Sequence, residues 1–72
     1  MNGEVMLQTI ANRVMELRHG KNLTQAQFAN LIGVSRTSVT MYESATSFPS
    51  VIVLARIAKQ FNVTTDWILG LT

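Results

Sequence analysis

Ser35, Arg36, Thr37, Ser38 and Thr40 put four hydroxyls and one guanidinium into a single short stretch, broken only by Val39. Hydroxyls both donate and accept hydrogen bonds, and a guanidinium donates in a planar fork. Such groups recognise polar edges and oxyanions; they do not by themselves break bonds. No nucleophile with a matching base is visible, and no glycine-rich phosphate loop is present. His19 is the only histidine and cysteine is absent, so metal ligation and thiolate chemistry lack their residues. His19 beside a helix end reads as a mild dipole partner. Glu4 and Glu16 share one helical segment with no sign of a cleft. An enzyme, a cofactor and a bound metal are therefore not expected.

The elements that must position this polar stretch are all helical. Met6, Ile10, Val14 and Leu17 fall on one face of a helix from about Val5 to His19, with Gly20 as its stop. Thr24 followed by Gln27 is a capping box, and Leu23 can staple onto Phe28. The second helix then buries Phe28, Ala29 and Leu31-Ile32 and ends at Gly33. Ser35 caps a third helix from Arg36 to about Ser44, polar apart from Val39, Met41 and Tyr42. After Ala45-Thr46-Ser47-Phe48-Pro49 comes a fourth helix, about Ser50 to Phe61, with a core stripe of Leu54, Ile57, Ala58 and Phe61. A short fifth, capped by Thr64, closes with Asp66-Trp67-Ile68-Leu69 before Gly70. No strand, repeat or low-complexity linker appears. The expected fold class is all-α, a compact bundle of about five short helices forming one domain over residues 1–72.

The chain has 72 residues, 47% of them apolar, enough for a thin core and too many for disorder. The longest apolar run, Val51-Ile52-Val53-Leu54-Ala55, is far short of a membrane span. The start, Met1-Asn2-Gly3-Glu4, lacks the basic region of a signal peptide. Together with the absence of cysteine, this sets the expectation of a reducing cytoplasm and no membrane partner. The scattered methionines, Met1, Met6, Met15 and Met41, form no cofactor box, and Met15 reads as an exposed apolar spot. Net charge is +2, a weak hint of nucleic acid.

The tight pair of helices over about 24–44 carries the function. Gly33-Val34-Ser35 is the separation a helix-turn-helix requires: the glycine permits the turn, Val34 can plug the gap, and Ser35 starts the next helix cleanly. The first turn of that helix is where side chains reach base edges in the major groove. Thr24-Gln25-Ala26-Gln27-Phe28-Ala29, Gly33-Val34-Ser35, Val39 and Tyr42-Glu43 together resemble the lambda-repressor/Cro-type (XRE-like) helix-turn-helix family. The pattern continues through Pro49-Ser50, Leu54, Ile57-Ala58, Phe61-Asn62-Val63 and Asp66-Trp67-Ile68-Leu69, so the resemblance runs from about Arg13 to Leu69.

The resemblance implies a sequence-specific regulator of transcription on a double-stranded DNA operator, as in the phage lysogeny switch. The DNA-facing residues it implies are Gln25, Ser35, Arg36, Thr37, Ser38, Thr40 and Met41. Gln25 looks like the family residue that touches a phosphate and braces the third helix. Arg36 can pair bidentately with guanine; Thr37, Thr40 and Met41 can meet a thymine methyl or a polar edge, and Ser38 a base or phosphate. Arg18 and Glu43 look like an internal ion pair. The region of Trp67 contributes core packing and, in the family, homodimer contact.

Three departures qualify this. Ser44-Ala45 stands where family members often have Asn-Gly, so that turn is expected to take another conformation. Thr46-Ser47-Phe48 carries no charge, so phosphate contacts are fewer and affinity for DNA lower. Ile52 and Val53 are apolar where the family is polar. With Phe48 and Met41 they form an expected apolar patch, with Trp67 a further interface residue. That patch supports an alternative function: an antirepressor or corepressor that binds a partner repressor protein. An antitoxin or a restriction-system controller would share the same sequence features. A sensor domain that binds an inducer is not expected from the 72 residues read.

Overall fold

The computed structural model describes residues 2–72; Met1 lies outside them. Its elements are α1 (Gly3–Gly20), α2 (Gln25–Ile32), α3 (Arg36–Glu43), α4 (Val51–Phe61) and α5 (Thr65–Leu69). Every one begins on a side-chain cap: Asn2, Thr24, Ser35, Ser50 and Thr64 each accept from a backbone N–H inside the first turn. A cap satisfies one orphan donor and contributes about 1 kcal/mol. Asn2 also moves the start of α1 ahead of the expected Val5. The Thr24–Gln27 capping box closes in both directions, at 3.1 and 2.9 Å.

Three helices end on a left-handed residue, Gly33, Asn62 and Gly70. Gly33 does so to launch α3, and its missing side chain also admits a neighbour. A Cβ there would lie 2.9 Å from Arg56 Nη1. Ala45 has φ 58°. The turn after α3 thus keeps a left-handed residue, against the expectation of another conformation. The N–H of Thr46 donates to Met41 O at 2.9 Å, and that closure fixes the turn whichever residue occupies it.

The core joins all five helices: Ile10 and Val14 of α1, Phe28, Ala29 and Ile32 of α2, Val39 and Tyr42 of α3, Val53 and Ile57 of α4, Ile68 of α5. Phe28 and Phe61 stack with ring centroids 5.0 Å apart. Leu23 and Val34, the expected staple and plug, are half-buried against this cluster. Three expectations are corrected. Leu31 is exposed, because it sits about 100° around α2 from Ile32 and the buried arc closes on Phe28, Ala29 and Ile32. Val53 is buried at 8% exposure, because α4 is rolled so that Val53 and Ile57, one turn apart, point inward. Leu54, Ala58 and Phe61 flank that stripe as half-buried residues. Met15 is half-buried rather than exposed. No described helix is long and apolar enough to cross a membrane.

Candidate nucleic-acid interface

The polar stretch that opened the sequence becomes the outer face of α3. Val39 and Tyr42 turn into the core, which leaves Ser35, Arg36, Thr37, Thr40 and Met41 exposed. Ser38 is half-buried; its hydroxyl lies 3.1 Å from that of Ser35, and its N–H donates to Ser35 Oγ at 3.2 Å. Ser35 and Ser38 therefore serve first to start the helix. Arg36 and Thr37 stand on its first turn with no partner among the described residues, and Met41 follows one turn later.

This face is fixed by hydrogen bonds that converge from two sides on the Glu43 carboxylate. Arg18 of α1 donates to Glu43 through Nε to Oε2 at 2.6 Å and through Nη2 to Oε1 at 3.0 Å. Its Nη1 donates to Leu23 O at 3.0 Å. Both charged side chains are largely withdrawn from solvent, 14% and 7% exposed. The hydrogen bond it donates to Glu43 raises the Arg18 pKa above its ordinary value against the opposing effect of burial, so the guanidinium stays charged. Gln25 Nε2 then donates to Glu43 Oε1 at 3.2 Å. A carboxylate only accepts, so the Gln25 amide nitrogen must face it and the amide oxygen must face away. That oxygen meets Thr40 Oγ1 at 3.1 Å, with the threonine as donor. Thr40 Oγ1 also lies 3.2 Å from Arg36 O. The start of α2 is thereby tied to the middle of α3, and one N–H of the Gln25 amide is left for a ligand.

Gln25 and Arg36 line one shallow groove with Arg18, Thr24 and Ala26. The structure thus brings Gln25 and Arg36 to one groove and leaves Ser35, Thr37, Thr40 and Met41 exposed around it, whereas half-buried Ser38 lies about 200° around α3 from Arg36. It does not unite the expected protein-interface residues. Phe48 and Ile52 are exposed at 49% and 64%, but Val53 is in the core. Trp67 lies under Arg13, whose guanidinium carbon sits 4.5 Å from the ring centroid and whose Nε donates to Trp67 O at 3.1 Å. That removes Val53 from the patch on which the antirepressor alternative rested.

Sequence reasoning missed the Gln25–Thr40 bond, which joins residues fifteen apart on separate helices, and the Arg13–Trp67 contact. A third omission is a groove lined by Leu31, Arg56, Lys59 and Gln60. The spacing of Arg56 and Lys59, three apart on one helix, was the available signal for it.

Comparison with known proteins adds to this geometry. A helix-turn-helix family model matches residues 14–68. The transcriptional activator BcrR of Enterococcus faecalis is 44% identical over 81% of this chain and 28% of its own length. The antitoxin PezA of Streptococcus pneumoniae is 38% identical over 85% of this chain and 39% of its own length. The chain therefore spans well under half of each of these two relatives. Among solved structures, the restriction-modification controller protein C.AhdI of Aeromonas hydrophila superposes with a TM-score of 0.76, at 26% identity, over 86% of this chain and 94% of that one. The turn at Gly33, the capped α3 and the match across most of its length place this chain in the helix-turn-helix family, of the XRE-like, lambda-repressor and Cro type.

Proposed function

We propose that this chain is a sequence-specific DNA-binding regulator of transcription, with residues 1–72 acting as one unit in the cytoplasm of a bacterial cell. The observation that carries the reading is the exposed, polar first turn of α3, held against α2 by the Arg18–Glu43–Gln25–Thr40 chain. In this reading α3 enters the major groove. Arg36 offers two parallel donors to guanine O6 and N7; Thr37 and Met41 offer a hydroxyl and apolar contact to neighbouring bases. The free N–H of Gln25, beside the open first turn of α2, takes a phosphate oxygen. Glu43 aims that amide, so register on the backbone and the pose of α3 are set together.

Homodimeric binding accompanies this reading, with two recognition helices about 34 Å apart in successive major grooves. A switch between phage states is one setting for such a regulator; activation and antitoxin autoregulation are others, in keeping with the names its relatives carry. The test is selection of DNA fragments by the purified chain at two salt concentrations, with its mass measured in solution. Enrichment of a two-fold symmetric site, bound more weakly at high salt, supports the reading. A folded helical chain that enriches no site at low salt refutes it.

A further inference from the structure

The groove between α2 and α4 has a composition that DNA reading leaves unused. Its lining is Leu31, Arg56, Lys59 and Gln60, and it encloses about 320 Å³. Leu31 is 45% exposed, an apolar side chain on the outer surface of an otherwise polar flank. Arg56 and Lys59 are exposed and make no ion pair or side-chain hydrogen bond among the described residues. The guanidinium of Arg56 rests over the α2–α3 turn, its Nη1 2.9 Å from where a Cβ on Gly33 would stand. No acidic residue lines the groove.

The groove lies on the flank of α2 turned away from the proposed DNA face. Leu31 and Ala26 are five residues apart, about 140° around the helix at 100° per residue. Ala26 lines the groove that holds Gln25 and Arg36, whereas Leu31 lines the one closed by α4. A phosphate backbone engaged at Gln25 and Arg36 runs past the first groove, and an exposed leucine adds nothing to phosphate binding. A second copy that apposed this same groove to itself would bring cations against cations. Two unpaired cations beside an apolar floor instead complement an acidic segment with an apolar residue between its carboxylates.

We infer that the α2–α4 groove docks an acidic, amphipathic segment of a second protein, seating one apolar side chain over Leu31 and carboxylates on Arg56 and Lys59. Occupancy there is compatible with DNA held on the other flank, so the partner would reach the regulator on its operator.

The inference does not depend on operator binding and is tested on the free chain. The probe is a short dye-labelled helical peptide of glutamates with leucines at helical spacing; an all-glutamate peptide of equal length is the control. Backbone amide resonances of the isotope-labelled chain are followed during titration. The expected result is shifts at Leu31, Gly33, Arg56, Lys59 and Gln60, with Thr37 and Thr40 unmoved. Leu31→Gln and the pair Arg56→Glu with Lys59→Glu should each weaken the probe about tenfold or more. All three positions are exposed, so folding should persist, checked by circular dichroism. Equal affinity for the two peptides, shifts centred on Arg36, or variants within about twofold of the parent would overturn the inference. So would a fall of about two in the salt slope of DNA binding on reversing both charges, because Arg56 and Lys59 would then be phosphate contacts. Failure of the chain to select DNA leaves the peptide titration unaffected and counts only against the DNA-reading proposal.

Discussion

Arg18 and Glu43, twenty-five residues apart, form a two-armed ion pair that fastens α1 to the last residue of α3. Removing one arm leaves the other partner charged and largely out of water. Glu43→Ala should lower stability by about 2–3 kcal/mol in denaturant unfolding. Glu43→Gln should cost less, since it keeps one acceptor. The sign with pH follows from the raised Arg18 pKa. A raised folded-state value gives stability fully present below the unfolded pKa and lost only as pH climbs through the folded one. The arginine's contribution should accordingly stay flat from about pH 7 to 10. A melting temperature for the parent that falls across this range, with no such fall in Glu43→Ala, would contradict it.

Ala45 is held in the left-handed region, where a Cβ costs roughly 1 kcal/mol relative to glycine. Ala45→Gly should raise stability by about 0.5–1 kcal/mol, net of the entropy glycine loses on folding. Gly33→Ala should do the reverse. The left-handed penalty should dominate, because the Arg56 end that a Cβ would meet is exposed and can swing aside, so Arg56→Ala in the same chain should recover little of the loss. A large positive coupling in a double-mutant cycle read by thermal unfolding would contradict this.

Val53 and Ile52 are neighbours with opposite fates. Val53→Ala should cost about 1–2 kcal/mol by opening space against Ile57 and the rest of the core. Ile52→Ser, on the outer surface, should fall within about 0.5 kcal/mol of the parent. Comparable losses at the two positions in urea titrations would mean that α4 is rolled differently.

The contrast at 52 and 53 shows what could and could not be read from the residues in order. Caps were legible because they are local: Thr24, Ser35 and Thr64 act within one turn, and their residue types serve that geometry. The outward face of α3 was legible from its polarity around Val39 and Tyr42. The roll of α4 was not, because Val51 through Leu54 is apolar on every side and periodicity cannot choose which residues turn inward. The left-handed Ala45 was illegible for a related reason. Its backbone follows from closure of the turn by Thr46 N–H on Met41 O, which overrides alanine's own preference. The relay from Glu43 through Gln25 to Thr40 needed α2 and α3 docked against each other before it could be seen.

Arg36 and Gln25 should fail in distinguishable ways on a selected operator. Arg36 is free on the first turn of α3, so Arg36→Ala should relax preference at one base pair by about 1–3 kcal/mol and leave the others intact. Gln25 offers one N–H to a phosphate while its remaining groups are committed to Glu43 and Thr40. Gln25→Ala should therefore weaken every sequence alike. Thr40→Val removes the donor that holds the Gln25 oxygen but not the Glu43 bond that aims its nitrogen. Its effect should be in the same direction as Gln25→Ala, smaller, and absent when Gln25 is already alanine. Titrating each variant and the Gln25/Thr40 pair against a panel of single base-pair changes separates these patterns. A Gln25→Ala loss confined to one base pair would move Gln25 from the phosphate to the base edges. Full additivity of the pair would show that the Thr40 hydroxyl acts on DNA directly rather than through the amide.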